Sequence, residues 1–112
     1  MTVLFLPEVE EYLYELIEIL YHKEYFGFKE SAINYVTDLK NDIKTNLANK
    51  IKYPAPRFFN KYGKKMLYAT FRKSKATQWY VFFNIYEHNG KLIYLVRYIS
   101  NNHVIAQYLV TP

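Results

Sequence analysis

The apolar side chains of this chain keep a helical spacing up to Leu47 and fall into β-rich runs from Lys64 onward, with a break in between. A chain patterned in two such blocks buries its apolar surface by packing helices on a sheet, which is an α+β arrangement. In "PEVEEYLYELIEILYHKEY", Val9, Tyr12, Leu13, Leu16, Ile17 and Leu20 recur at steps of three and four, with Glu8, Glu10, Glu11, Glu15 and Glu18 mostly opposite. This is an amphipathic helix whose first-turn glutamates complement its dipole. Pro7 suits its first turn, where a missing N–H leaves nothing unpaired. Ahead of it "TVLFL" reads as a short strand. After Gly27, which offers a stop, Phe28, Ala32, Tyr35, Val36, Leu39, Ile43 and Leu47 repeat the helical spacing. Two helices with a short connection predict an antiparallel hairpin.

In "NKIKYPAPRFFNKYGK" Pro54, Pro56 and Gly63 interrupt both periods, which predicts a loop of about fifteen residues, long enough to suspect a functional role. The runs "KKMLYATFRKS", "TQWYVFFNIYEH" and "KLIYLVRYIS" follow, separated by "KAT" and by the good hairpin turn "HNG". They predict a three-stranded antiparallel meander, with Trp79 and "WYVFF" in the core. The tail "NNHVIAQYLV" fits a short helix or a strand equally. The expected architecture is therefore one domain over residues 1–112: an N-terminal strand, an antiparallel helical hairpin, and a meander that completes one four-stranded sheet packed on the helices. Helices on one face would leave the other face and its rim basic and aromatic, a common build for a nucleic-acid platform.

Charge divides along the same boundary. Residues 1–42 hold nine of the ten acids and three lysines, a formal −6, whereas residues 43–112 hold twelve Lys or Arg and only Glu87, a formal +11. A basic half of this strength attracts a polyanion, either a nucleic acid or an acidic protein. There is no cysteine, so disulfides, thiolate metal sites and a cysteine nucleophile are excluded. The apolar start stops at Pro7 and Glu8 without a basic leader, so neither a signal peptide nor a membrane span is expected and the cytoplasm is the expected location.

His22, His88 and His103 are isolated from one another and the carboxylates follow helical spacing, which predicts no metal site and no cofactor. No glycine loop cradles a phosphate and no serine sits in a nucleophile elbow. The remaining candidates are Lys64, Lys65, Arg72, Lys73, Arg97, Asn102, His103 and Tyr108, on or beside the predicted sheet. RNA supplies its own nucleophile, the 2′-hydroxyl. Its cleavage needs a base, an acid and a cation over the phosphorane, and side chains can provide all three. His103 would be base or acid, with Arg97, Arg72 or Lys65 over the charge and Tyr108 orienting the substrate or stacking on a base. Each also has a plainer role: a surface histidine, a packed tyrosine, a solvent-facing arginine, and edge-strand lysines that deter aggregation.

The succession of "VLFLPEVEEYLYELIEIL", a second helix, a proline-containing loop, "WYVFFNIYE" and "LIYLVRYISNNHVIAQYL" resembles the RelE/ParE superfamily of bacterial toxins over nearly the whole chain. The resemblance implies the toxin half of a toxin–antitoxin module; the leading expectation is a RelE-like, metal-free endoribonuclease that cuts mRNA, often on the ribosome, and blocks translation, and the alternative is a ParE-like protein that inhibits DNA gyrase without catalysis. It also allows a degenerate member that binds its antitoxin alone. By position, Lys64, Lys65 and Arg72 match basic residues of the family's second sheet strand. Asn102 or His103 falls where RelE-like members have an active-site Arg or His, and Tyr108 matches the carboxy-terminal tyrosine. The chain departs from the family where Trp79-Tyr80 replaces Tyr-Arg and where Ser100-Asn101-Asn102-His103 replaces a basic cluster, and these departures favour the ParE-like alternative. A cognate antitoxin that wraps the basic surface, in an oligomer with the toxin, is the implied partner.

Overall fold

Pro7 turns the first strand straight into the first helix. The computed structural model of the chain describes residues 1–23 and 26–109. Strand β1 (Thr2–Phe5) is followed by α1 (Pro7–His22) and α2 (Lys29–Asn46), then by β2 (Tyr53–Pro54), β3 (Leu67–Arg72), β4 (Gln78–His88), β5 (Lys91–Asn101) and a short α3 (Asn102–Ile105). Single 3₁₀ segments occupy Leu47–Asn49, Arg57–Lys61 and Ala106–Tyr108. Val9, Leu13 and Leu16 of α1 and Ala32, Val36, Leu39 and Ile43 of α2 are buried, as the spacing predicted. Lys40 pairs with Glu10 and Lys29 with Glu18, so the end of one helix meets the start of the other and the hairpin is antiparallel. Phe28 does not join the apolar face; it precedes α2 in extended backbone and is 76% exposed.

The sheet is mixed and five-stranded, in the order β1-β5-β4-β3-β2. Antiparallel β3, β4 and β5 form the expected meander, and β1 lies parallel to β5. The expectation of four strands is corrected by β2, which arises inside the segment read as a loop and pairs Tyr53 with Tyr68 and Pro54 with Leu67. A two-residue strand is too short to show a period, so composition could not reveal it. Pro54 is tolerated because it sits on a sheet edge.

Phe71, Trp79, Val81, Phe83, Val96 and Ile99 face the helices in the main core. Trp79 is 1% exposed, and its indole N–H donates to the Tyr35 hydroxyl of α2 at 2.9 Å. Replacing Tyr35 by phenylalanine leaves that buried donor unsatisfied, so urea denaturation of the variant is expected to show a loss of about 1–3 kcal/mol.

The opposite face departs from expectation. Phe82 points away from the helices into a second apolar cluster with Phe59, Met66 and Ile105, all at most 2% exposed. The 3₁₀ segment Arg57–Lys61 and the C-terminal α3 cover this part of the sheet, so it is not an open platform. The cause is visible in "YVFF": Val81 and Phe83 satisfy one face, and Phe82 then has to be buried on the other. No helix among the described residues is long and apolar enough to cross a membrane.

Candidate nucleic-acid interface

The β3–β4 turn and the start of α3 are joined at one end of the sheet. Within the turn, Lys73 and Ser74 donate backbone N–H groups to the Thr77 carbonyl, and the Ser74 hydroxyl accepts from the N–H groups of Ala76 and Thr77. Asn102 ties α3 to this turn: its Oδ1 accepts from the Gln78 N–H at 2.8 Å and its Nδ2 donates to the Ala76 carbonyl at 3.0 Å. Asn101 caps α3 by accepting the His103 N–H at 2.9 Å. The His103 ring is exposed, with Nε2 3.2 Å from the Thr77 hydroxyl. An imidazole fixed through one nitrogen and open to solvent is well placed for proton transfer.

Cations surround this end. Arg72 lies opposite Gln78 in the β3–β4 register and is exposed, as is Lys75. The Lys73 ammonium sits 5.4 Å from the centroid of the Tyr35 ring, and that of Lys50 sits 4.6 Å from the centroid of Phe71. The only acid after Asp42 is Glu87, near the far end of β4, so no carboxylate of the basic half neutralises this cluster.

Beside it runs a strip of tyrosines, none of them among the candidates that the sequence alone points to. Tyr53 and Tyr68 are cross-strand partners with ring centroids 5.4 Å apart, and Tyr80 lies 5.8 Å beyond Tyr68. Gln78 donates to the Tyr80 hydroxyl at 3.2 Å and connects the strip to the turn. Partial burial, then the neighbouring Tyr80 and Tyr53 hydroxyls, raise the Tyr68 pKa above the ordinary phenol value, so the ring stays neutral. Half-exposed neutral rings beside lysines and arginines are a stacking surface for unpaired bases. The signal was present in the strand period: once Ala69, Phe71, Trp79 and Val81 face the helices, Tyr68 and Tyr80 must face away.

The other predicted residues lie elsewhere. Phe82 pairs with Tyr98 and Phe83 with Val96, which leaves Arg97 as the extra residue of a β-bulge. The bulge turns Arg97 onto the face of Asn84 and Tyr86. There its Nε donates to Asn84 Oδ1 at 2.6 Å and its Nη2 to the Tyr86 hydroxyl at 2.8 Å. Asn84 in turn donates to the carbonyls of Lys64 and Lys65. Arg97 therefore neither faces bulk solvent alone nor pairs with a carboxylate; it holds the segment before β3 against the sheet. Gln78 and Asn84 are six residues apart on β4, so this network lies about 20 Å from the His103 end. Arg72, Lys73, Asn102 and His103 are thus brought together, while Lys64, Lys65 and Arg97 are not among them. Tyr108 belongs to the cover, its ring stacked on Phe58 at 3.7 Å between centroids.

Gly63 shows how closely Arg97 packs. A Cβ there would lie 2.5 Å from Arg97 Cδ and 3.0 Å from Met66 Sδ. Because two hydrogen bonds tether the guanidinium, Gly63→Ala is expected to destabilise the fold by about 1–3 kcal/mol in chemical denaturation. The increment should shrink in the Arg97→Ala background, where the collision is gone.

No group of three or more His, Cys, Asp or Glu side chains among the described residues is arranged to hold a metal ion. Comparison with protein-family models, with curated proteins and with solved structures finds no match to this chain.

Proposed function

We propose that the protein is a toxin of a bacterial toxin–antitoxin module that cuts mRNA, with the His103 end of the sheet as its active site. The observation that carries this reading is an exposed imidazole held by Thr77 of the β3–β4 turn, whose flank and tip carry Arg72, Lys73 and Lys75, at the end of a tyrosine strip. Unpaired bases stack on Tyr53, Tyr68 and Tyr80, and the phosphate at the end of the strip meets Arg72. The 2′-oxygen attacks phosphorus as His103 takes its proton. The P–O5′ bond then breaks, leaving a 2′,3′-cyclic phosphate on one fragment and, once the departing oxygen gains a proton, a 5′-hydroxyl on the other. Arg72 stabilises the charge that builds on the phosphorane oxygens. This assignment places Arg97, Lys64 and Lys65 outside the reacting centre. An acidic antitoxin in the cytoplasm is the natural counterpart of the +11 half.

The test is induced expression in a bacterial host with mapping of mRNA 5′ ends. New cuts bearing 5′-hydroxyl groups support the reading. Growth arrest with intact mRNA and inhibited supercoiling supports instead the non-catalytic gyrase inhibitor, for which the separation of Arg97, Lys64 and Lys65 from His103 is the favouring observation.

A further inference from the structure

Asn89 is the only asparagine of the chain that is followed by glycine, and the fold puts a histidine against it. His88 pairs with Lys91, so Asn89 and Gly90 make the whole of the β4–β5 connection, with φ of 52° and 77° as a mirror-image two-residue turn requires. His88, Asn89, Gly90 and Lys91 are all exposed, and a Cβ built on Gly90 would meet nothing within 4 Å. The Asn89 amide nitrogen lies 3.4 Å from His88 Nε2, and no other side-chain hydrogen bond engages either group among the described residues.

An asparagine in this setting can react with its own backbone. The nitrogen of the next residue attacks the side-chain carbonyl carbon, and with glycine there no side chain shields that nitrogen. The attacking nitrogen must lose a proton and the departing amide nitrogen must gain one, so a group that takes the first and returns it to the second speeds both steps. His88 is placed for both. As the ring closes, the two nitrogens are bonded to one carbon, so a base within reach of Asn89 Nδ2 is within reach of the Gly90 nitrogen as well. Closure requires rotation about the Asn89 backbone, which an exposed tip with no packed side chain permits.

We propose that Asn89 is a self-modifying site with His88 as its proton shuttle. The Gly90 nitrogen bonds to Asn89 Cγ as His88 takes its proton, and the Cγ–Nδ2 bond breaks as His88 returns that proton and ammonia leaves. Water then opens the five-membered imide to an aspartyl or an isoaspartyl residue. Only water is consumed, and no oxidant or partner is needed. The isoaspartyl product routes the main chain through Cγ and lengthens the loop by a carbon atom. A two-residue turn fixes strand register, so the longer loop no longer holds His88 opposite Lys91. Two residues before His88, the Tyr86 hydroxyl accepts from the Arg97 guanidinium, so the modified turn loosens one of the two tethers on Arg97. The site lies at the opposite end of β4 from Gln78 and does not depend on RNA cleavage.

The test is incubation of the purified chain at physiological temperature and neutral pH. Peptide mapping by mass spectrometry follows the loss of the Asn89 amide, and methylation by an isoaspartyl methyltransferase identifies the product. Asn89 is expected to convert ahead of every other asparagine, mostly to isoaspartate. His88→Ala should slow the conversion by about tenfold or more, and added imidazole should restore much of the rate. In the converted chain hydrogen exchange at residues 84–88 should rise, and Asn89→Asp, which adds the charge without lengthening the loop, should not reproduce that rise. The proposal is overturned if Asn89 keeps its amide while a peptide spanning residues 86–92 loses it, or if His88→Ala converts at the wild-type rate. It is equally overturned if imidazole fails to rescue that variant, or if Asn89→Asp loosens the hairpin as much as conversion does.

Discussion

Replacing His103 by alanine is expected to slow RNA cleavage by about a hundredfold or more while leaving the fold intact. The imidazole is exposed and its one side-chain partner among the described residues is the Thr77 hydroxyl, so its removal opens no cavity and strands no buried donor. The backbone N–H that Asn101 caps is retained in alanine, so α3 keeps its start. Single-turnover cleavage of a short unstructured RNA measures the loss, and circular dichroism with thermal melting checks the fold. Arg97→Ala is the control: its guanidinium is held by Asn84, six residues or about 20 Å along β4 from Gln78, so cleavage per folded molecule should be unchanged although stability falls. If His103→Ala cleaves at the wild-type rate, the His103 end is not the reacting centre.

The parts of this arrangement that could be read in advance are those where one face is apolar over several turns or residues. Val9, Leu13 and Leu16 announce α1, and "HNG" announces the turn between β4 and β5, because both follow from local spacing and backbone preference. The site divided less cleanly. In the sequence Asn102 and His103 read alike as candidates for chemistry, yet Asn102 serves chiefly to bind α3 to the turn, which is a long-range contact that no spacing encodes. Arg97 looked like an interruption of "LIYLVRYI", and only the slipped β4–β5 register shows that it occupies a bulge. Tyr53 fell in a supposed loop, so the strip it begins could be recognised only after β2 had paired with β3. Burial of the second face depends on Phe59 and Ile105 meeting over Phe82 from distant parts of the chain.

That second cluster leads to the largest stability effect expected of a single change. Phe82 is fully buried, in contact with the ring of Phe59 at 4.4 Å between centroids and with those of Tyr68 and Tyr98 at under 6 Å. Removing it leaves a void beneath two separate covering segments, and Phe82→Ala is expected to reduce stability by about 3–5 kcal/mol, a large share of what a domain of this size holds. The same change should do more than lower the melting point. Ile105 rests on this cluster and belongs to the four-residue helix that carries His103, so the helix should loosen before the main core does. Hydrogen exchange at residues 102–106 should therefore rise more than at residues 79–83 in mild denaturant, and RNA cleavage should fall ahead of global unfolding. Phe83→Ala, which opens the helix-facing core instead, should be comparably destabilising but should lose cleavage only together with the fold. Identical exchange profiles for the two variants would mean that the covering layer and the main core unfold as one unit, and that the His103 end has no independent support.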